Sequence, residues 1–121
     1  VDEETVKYNL MLALRYVKLS HKEKENKIAD ALAKVGLCGY ENKKIYQLSG
    51  GEQQRVSLAR VFLKPSEIIL ADEPTGSLDK ENAAIVINIL KRINRDYGKT
   101  VLIVTHDENL KEIGDRIIDL S

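Results

Sequence analysis

Asp72-Glu73-Pro74 sets two carboxylates side by side directly after the apolar run Ile68-Ile69-Leu70-Ala71. His106 stands just past a second apolar run, Val101-Leu102-Ile103-Val104. In an open parallel sheet the ligand crevice lies beyond the carboxyl ends of the strands. If both runs are strands, acid, acid and imidazole are aimed at one edge. An aspartate leaving a strand can hold a hydrated Mg²⁺, and a second carboxylate beside it can polarise an attacking water. Phosphoryl transfer to water needs that division of labour. Taken alone, the acid pair also reads as the start of a turn, because acids before proline are ordinary loop chemistry.

Ser49-Gly50-Gly51-Glu52 is a further candidate. Ser-x-x-Glu is a capping box and starts a helix with no ligand present. Two consecutive glycines, however, are poor helix formers. Their place in a first turn makes sense if the backbone must let a phosphate approach the N–H groups at the positive helix end. Cap and anion site can then be one object. Asp79, before Lys80-Glu81-Asn82, reads as the cap of a later helix.

The elements that must position these residues fall into two stretches. Val6, Leu10, Leu14 and Val17 lie at helical spacing and predict a helix over Thr5 to Val17. Ser20 with Glu23 forms a capping box before a second helix through Ile28, Leu32 and Val35, which Gly36 should stop. Gly39 to Tyr46 is polar and turn-prone, and a third helix runs from Ser49 to Pro65. Beyond Pro65 short β-rich runs alternate with helices: Glu67 to Ala71, a helix over Lys80 to Arg95, Thr100 to Thr105, a short helix near Glu108 to Ile113, and Arg116 to Leu120. Val101 to Val104 is apolar on both faces, as expected for a parallel strand covered by helices on each side.

Composition sets the bounds. The chain has 121 residues, 43% of them hydrophobic, enough for one modest core. Lys plus Arg equals Asp plus Glu at 19 each, so overall charge asks for neither nucleic acid nor an anionic membrane. The tyrosines are scattered rather than interleaved with basic residues, again unlike a nucleic-acid platform. One cysteine, Cys38, excludes an internal disulfide, and no apolar run approaches the roughly 20 residues of a membrane span. These features point to the cytosol. The start on Val1 suggests an excised piece.

Leu48-Ser49-Gly50-Gly51-Glu52-Gln53-Gln54-Arg55, Ile68 to Glu73, Pro74-Thr75-Gly76-Ser77-Leu78-Asp79 and His106 together resemble the ATP-binding cassette (ABC) ATPases. The resemblance implies an α/β fold, the C-terminal part of a P-loop NTPase domain. Residues 1–65 would form its helical subdomain, and residues 66–121 part of the RecA-like core with an incomplete, mostly parallel sheet. It also implies that Ser49, Gly50, Gly51 and Glu52 belong to the signature motif touching the γ-phosphate of ATP held by an opposite subunit. Asp72 would lie on Mg²⁺, Glu73 would be the general base, Asp79 the D-loop residue at the dimer interface, and His106 the switch histidine. The helices before Ser49 would dock on a transmembrane permease subunit, placing the protein in the cytoplasm at the inner face of the membrane. Ala71 to Asp79 is similar to the lipoprotein-release, macrolide-export and antimicrobial-peptide-export ATPases. Glu52 stands where many members carry Gln, which keeps acceptor capacity but adds charge near phosphate.

The family's Walker A loop, glutamine loop and adenine-stacking aromatic would all belong upstream of Val1. Gly98-Lys99-Thr100 is no substitute. Ile93 stands where the first glycine of G-x-x-x-x-G-K-[ST] belongs, and the triplet precedes a strand instead of following one. The isolated chain is therefore expected to bind ATP very weakly and to lack ATPase activity. It is also expected to self-associate through an uncovered strand edge. Rival readings are a soluble ABC-type ATPase, or a noncatalytic module docking on a membrane subunit.

Overall fold

In the computed structural model the described residues are 4–64, 68–72, 74–76, 78–105 and 116–119. They divide into two compact units, Val1–Pro65 and Ser66–Ser121.

The first unit is built on three helices, α1 (Val6–Ala13), α2 (His21–Lys34) and α3 (Gly50–Ala59). The Thr5 hydroxyl caps α1 by accepting from the Tyr8 N–H at 3.1 Å. Two more orphan donors of that first turn, the N–H groups of Val6 and Lys7, find the carbonyls of Lys43 and Glu41, each at 2.9 Å. The loop that reads as merely polar is thus fastened to α1, and it closes in a 3₁₀ turn at Ile45–Gln47. Val6, Leu10 and Leu14 repeat every four residues and are all buried.

The helical pattern predicts α1 to Val17, but the helix stops at Ala13. Leu14, Arg15 and Val17 donate three residues back, to Met11, Leu12 and Leu14. Such tight turns end an α-helix. They form the loop through which the chain reverses into α2, and Leu14 stays in the core while Tyr16 is left 88% exposed.

Helix α2 ends as its sequence requires. Gly36 adopts φ 74°, the Leu37 N–H reaches the Leu32 carbonyl at 2.8 Å, and the Gly36 N–H reaches Ala33 at 3.2 Å. This paired arrangement is a Schellman stop, and buried Leu32 and Leu37 supply its apolar contact. Ile28, Ala31 and Leu32 from α2, and Val35 just past its end, join Val56, Ala59 and Leu63 as buried residues of the unit's core. The expected single helix up to Pro65 ends sooner, with α3 passing at Arg60–Phe62 into a 3₁₀ turn.

The second unit is a parallel sheet of order β1-β2-β3, from Ile68–Asp72, Thr100–Thr105 and Arg116–Asp119. Parallel neighbours need a crossover, and α4 (Lys80–Asp96) supplies the one between β1 and β2. Val86, Ile89, Leu90 and Ile93 occupy one helical stripe and are buried, as are Val101 and Ile103 on β2. The alternate residues Leu102 and Val104 are only half-buried, so β2 is dry on one face rather than on both. Gly98 at φ 64° follows the end of α4, and Thr100 opens β2, so Gly98-Lys99-Thr100 is a helix stop and a strand start. The helix expected near Glu108 to Ile113 lies outside the described residues.

Candidate functional site: a glycine-started helix and a strand-end acid

The α3 N-terminus is organised by hydrogen bonds from three directions. Ser49 is extended and its Oγ accepts from the Glu52 N–H at 3.1 Å, while Glu52 Oε1 accepts from the Ser49 N–H at 2.9 Å. The capping box read from the sequence is therefore formed in full. The Gln53 side-chain amide donates to the carbonyls of Ile45 and Leu48, at 3.2 and 3.3 Å, and holds the incoming loop. The third direction is Tyr40, whose phenol donates to Glu52 Oε2 at 2.7 Å.

What this leaves unused matters for chemistry. Gly50 and Gly51 are the first two residues of α3, so their N–H groups have no intrahelical acceptor. Neither finds a partner among the described residues. Ser49 Oγ accepts in the cap, and its hydroxyl also helps to hold the Glu52 carboxyl down. Two backbone donors thus stand at the positive end of a helix, an arrangement suited to a phosphate.

The electrostatics of Glu52 follow from its partners. Donation by Tyr40 and then by the Ser49 backbone N–H holds its carboxyl below the ordinary 4.5, with burial opposing and Ser49 Oγ and the Arg55 charge adding to the effect. The same Tyr40–Glu52 hydrogen bond raises the phenol above 10.0. Arg55 stands one turn further along α3. Its Nη1 donates to the carbonyls of Val35 and Gly36 at 3.1 and 3.4 Å and so satisfies the end of α2. A Cβ on Gly36 would meet that Nη1 at 3.1 Å.

In the second unit, β1 ends at Asp72, which lies opposite Val104 in the parallel register, one residue before β2 ends at Thr105. The two strands therefore finish at one edge. Glu73 and His106 lie outside the described residues. Past that edge Pro74 and Thr75 are buried, and the Leu78 N–H closes a turn on the Thr75 carbonyl at 3.2 Å. Asp79 then caps α4, its Oδ1 accepting from the Asn82 N–H at 2.8 Å. The capping role expected of Asp79 is present. Sequence reasoning passed over Tyr40, twelve residues from its partner, because no local spacing rule links a loop tyrosine to a helix acid.

This arrangement is that of the ATP-binding cassettes, P-loop NTPases in which a helical unit accompanies a parallel sheet. The chain belongs to the ABC transporter family, whose sequence profile matches residues 1–76. It is 42% identical over 116 residues to the macrolide export ATP-binding/permease protein MacB of Mannheimia succiniciproducens, covering 96% of this chain and 18% of that protein. It is 46% identical over 103 residues to the ABC transporter ATP-binding protein YtrE of Bacillus subtilis, covering 85% and 44%. Among solved structures, the post-hydrolysis dimer of the cassette MJ0796 bound to ADP and Pi superposes with TM-score 0.83 at 37% identity, covering all of this chain and 54% of that one. The chain thus spans less than half of these two relatives and about half of the solved cassette. No helix among the described residues is long and apolar enough to cross a membrane.

Proposed function

We propose that this chain is the C-terminal part of an ABC transporter's ATP-binding subunit, which couples ATP hydrolysis to transport or export across a membrane. The observation carrying this reading is the α3 N-terminus, where the Gly50 and Gly51 N–H groups have no acceptor among the described residues while Glu52 is tied back. These donors fit a terminal phosphate of ATP bound to a second ATPase subunit. The dimeric relative bound to ADP and Pi supports that partnership.

At the sheet edge Asp72 would hold Mg²⁺, which would supply charge neutralisation to the phosphates. Glu73 takes a proton from water as it attacks, and His106 steadies the transferring phosphoryl group. Asp79 faces the second subunit across the dimer interface. The similarity to the macrolide export ATP-binding/permease protein MacB favours a membrane permease as the other partner and the cytoplasmic face as the location. The complete subunit supplies the phosphate-binding loop. This chain by itself turns over no ATP and pairs with further copies through its sheet edge.

The test is a chimera in which this chain replaces the matching segment of YtrE. MgATP hydrolysis is expected in the wild-type chimera, with Glu73→Gln lowering kcat by about 10²–10⁴-fold. A folded chimera without turnover, or one indifferent to Glu73→Gln, overturns the proposal.

A further inference from the structure

Glu52 raises a physical problem. A carboxylate at the third position of α3 supports the helix dipole, yet it also puts a negative charge beside the donors proposed to meet a negatively charged phosphate. We propose that Tyr40 is a positioning residue that resolves this conflict: its phenol and the Ser49 N–H take one carboxylate oxygen each and hold Glu52 back from the phosphate-facing end of α3. The inference rests on the ATPase reading of that end.

The geometry is specific. Glu52 Oε1 is held by the Ser49 N–H at 2.9 Å and Oε2 by the Tyr40 phenol at 2.7 Å. With one oxygen fixed on each side the carboxylate cannot swing outward without breaking a hydrogen bond to an ionised acceptor, the stronger kind. The other Ser–Glu capping box among the described residues shows what the phenol adds. Glu23 Oε1 accepts from the Ser20 N–H at 3.4 Å, and among the described residues no side chain donates to it. Positive groups complete the arrangement around Glu52. The Arg55 charge acts on its carboxylate, and Lys43 Nζ lies 4.7 Å from the Tyr40 ring centroid. The depressed carboxyl and raised phenol are the expected signature of a donor shared in this way.

A tyrosine that merely packed in the loop would matter equally whatever stood at position 52. A positioning tyrosine matters only while position 52 is charged. The YtrE chimera is therefore compared as wild type, Tyr40→Phe, Glu52→Gln and the double variant. The expectation is that Tyr40→Phe lowers kcat/KM for ATP about tenfold. In the Glu52→Gln background the same change should cost less than about twofold. Carbon-13 titration of Glu52 in the 121-residue chain should show its carboxyl moving up toward 4.5 in Tyr40→Phe. Equal losses in both backgrounds, or no loss in either, overturn the positioning role and leave the ATPase reading standing. An inactive wild-type chimera overturns the ATPase reading and this inference with it.

Discussion

The chain contains the same capping box twice, and the difference between the copies separates what a helix needs from what a ligand needs. At Ser20 and at Ser49 a serine hydroxyl accepts from the glutamate N–H at 3.1 Å. Between serine and glutamate the first box carries His21 and Lys22, and the second Gly50 and Gly51. The glutamate of the first reaches back at 3.4 Å, that of the second at 2.9 Å with a tyrosine on its other oxygen. Helix initiation explains only the features the two share. The glycines cost helix stability, and the tyrosine spends a hydrogen bond on an acid already capped, so both call for a reason outside the helix.

Substituting the glycines separates the boxes most sharply. Gly50→Ala should stabilise α3 by up to about 1 kcal/mol while lowering turnover of the YtrE chimera at least about tenfold, because a Cβ then stands where the phosphate approaches. His21→Ala, at the matching exposed place in α2, should move neither quantity beyond about 0.5 kcal/mol. Urea unfolding read beside ATPase rates decides the matter, and equal behaviour at the two sites would erase the distinction. Removing the caps is a milder contrast. Ser20→Ala and Ser49→Ala should each cost about 1 kcal/mol of stability, with only Ser49→Ala slowing hydrolysis.

The smallest effect is in the pH dependence. The Glu52 carboxyl is depressed in the folded chain, so its contribution is present above 4.5 and fades as pH falls through the lower folded value. The Tyr40 phenol is raised, so its contribution is intact below 10.0 and fades as pH climbs through the higher folded value. The stability gap between wild type and Tyr40→Phe should be flat between those limits and shrink on both sides. A gap with no pH dependence would mean that the hydrogen bond is not made in solution.

Much of the fold was legible because its signals are local. Ser20, Gly36, Ser49, Asp79 and Gly98 each mark a helix boundary through their own backbone preferences or caps, and the structure places boundaries at all five. The stripe of α4 and the apolar runs of β1 and β2 carry their periods in the sequence. The early end of α1 was not legible, since Val17 keeps the helical spacing although the chain is already turning. Nor were the bonds joining loop 41–45 to α1, or Arg55 to the end of α2, because side chains and carbonyls far apart in sequence find one another only after packing. At the site, residue types and order pointed to Ser49, Asp72 and Asp79. The partner that disciplines Glu52 came from the structure alone.

The parallel register has a consequence for synthesis. Ile68 pairs with Thr100, so at ribosomal rates of about 5–20 residues per second β1 emerges some 2–6 s before the strand it must bond. The bonds that build the first unit join residues much closer in sequence or already made, and they can close during that interval. Helix α3 can then be in place while β1 still lacks β2, leaving the side that β2 will cover open to any extended segment that arrives first.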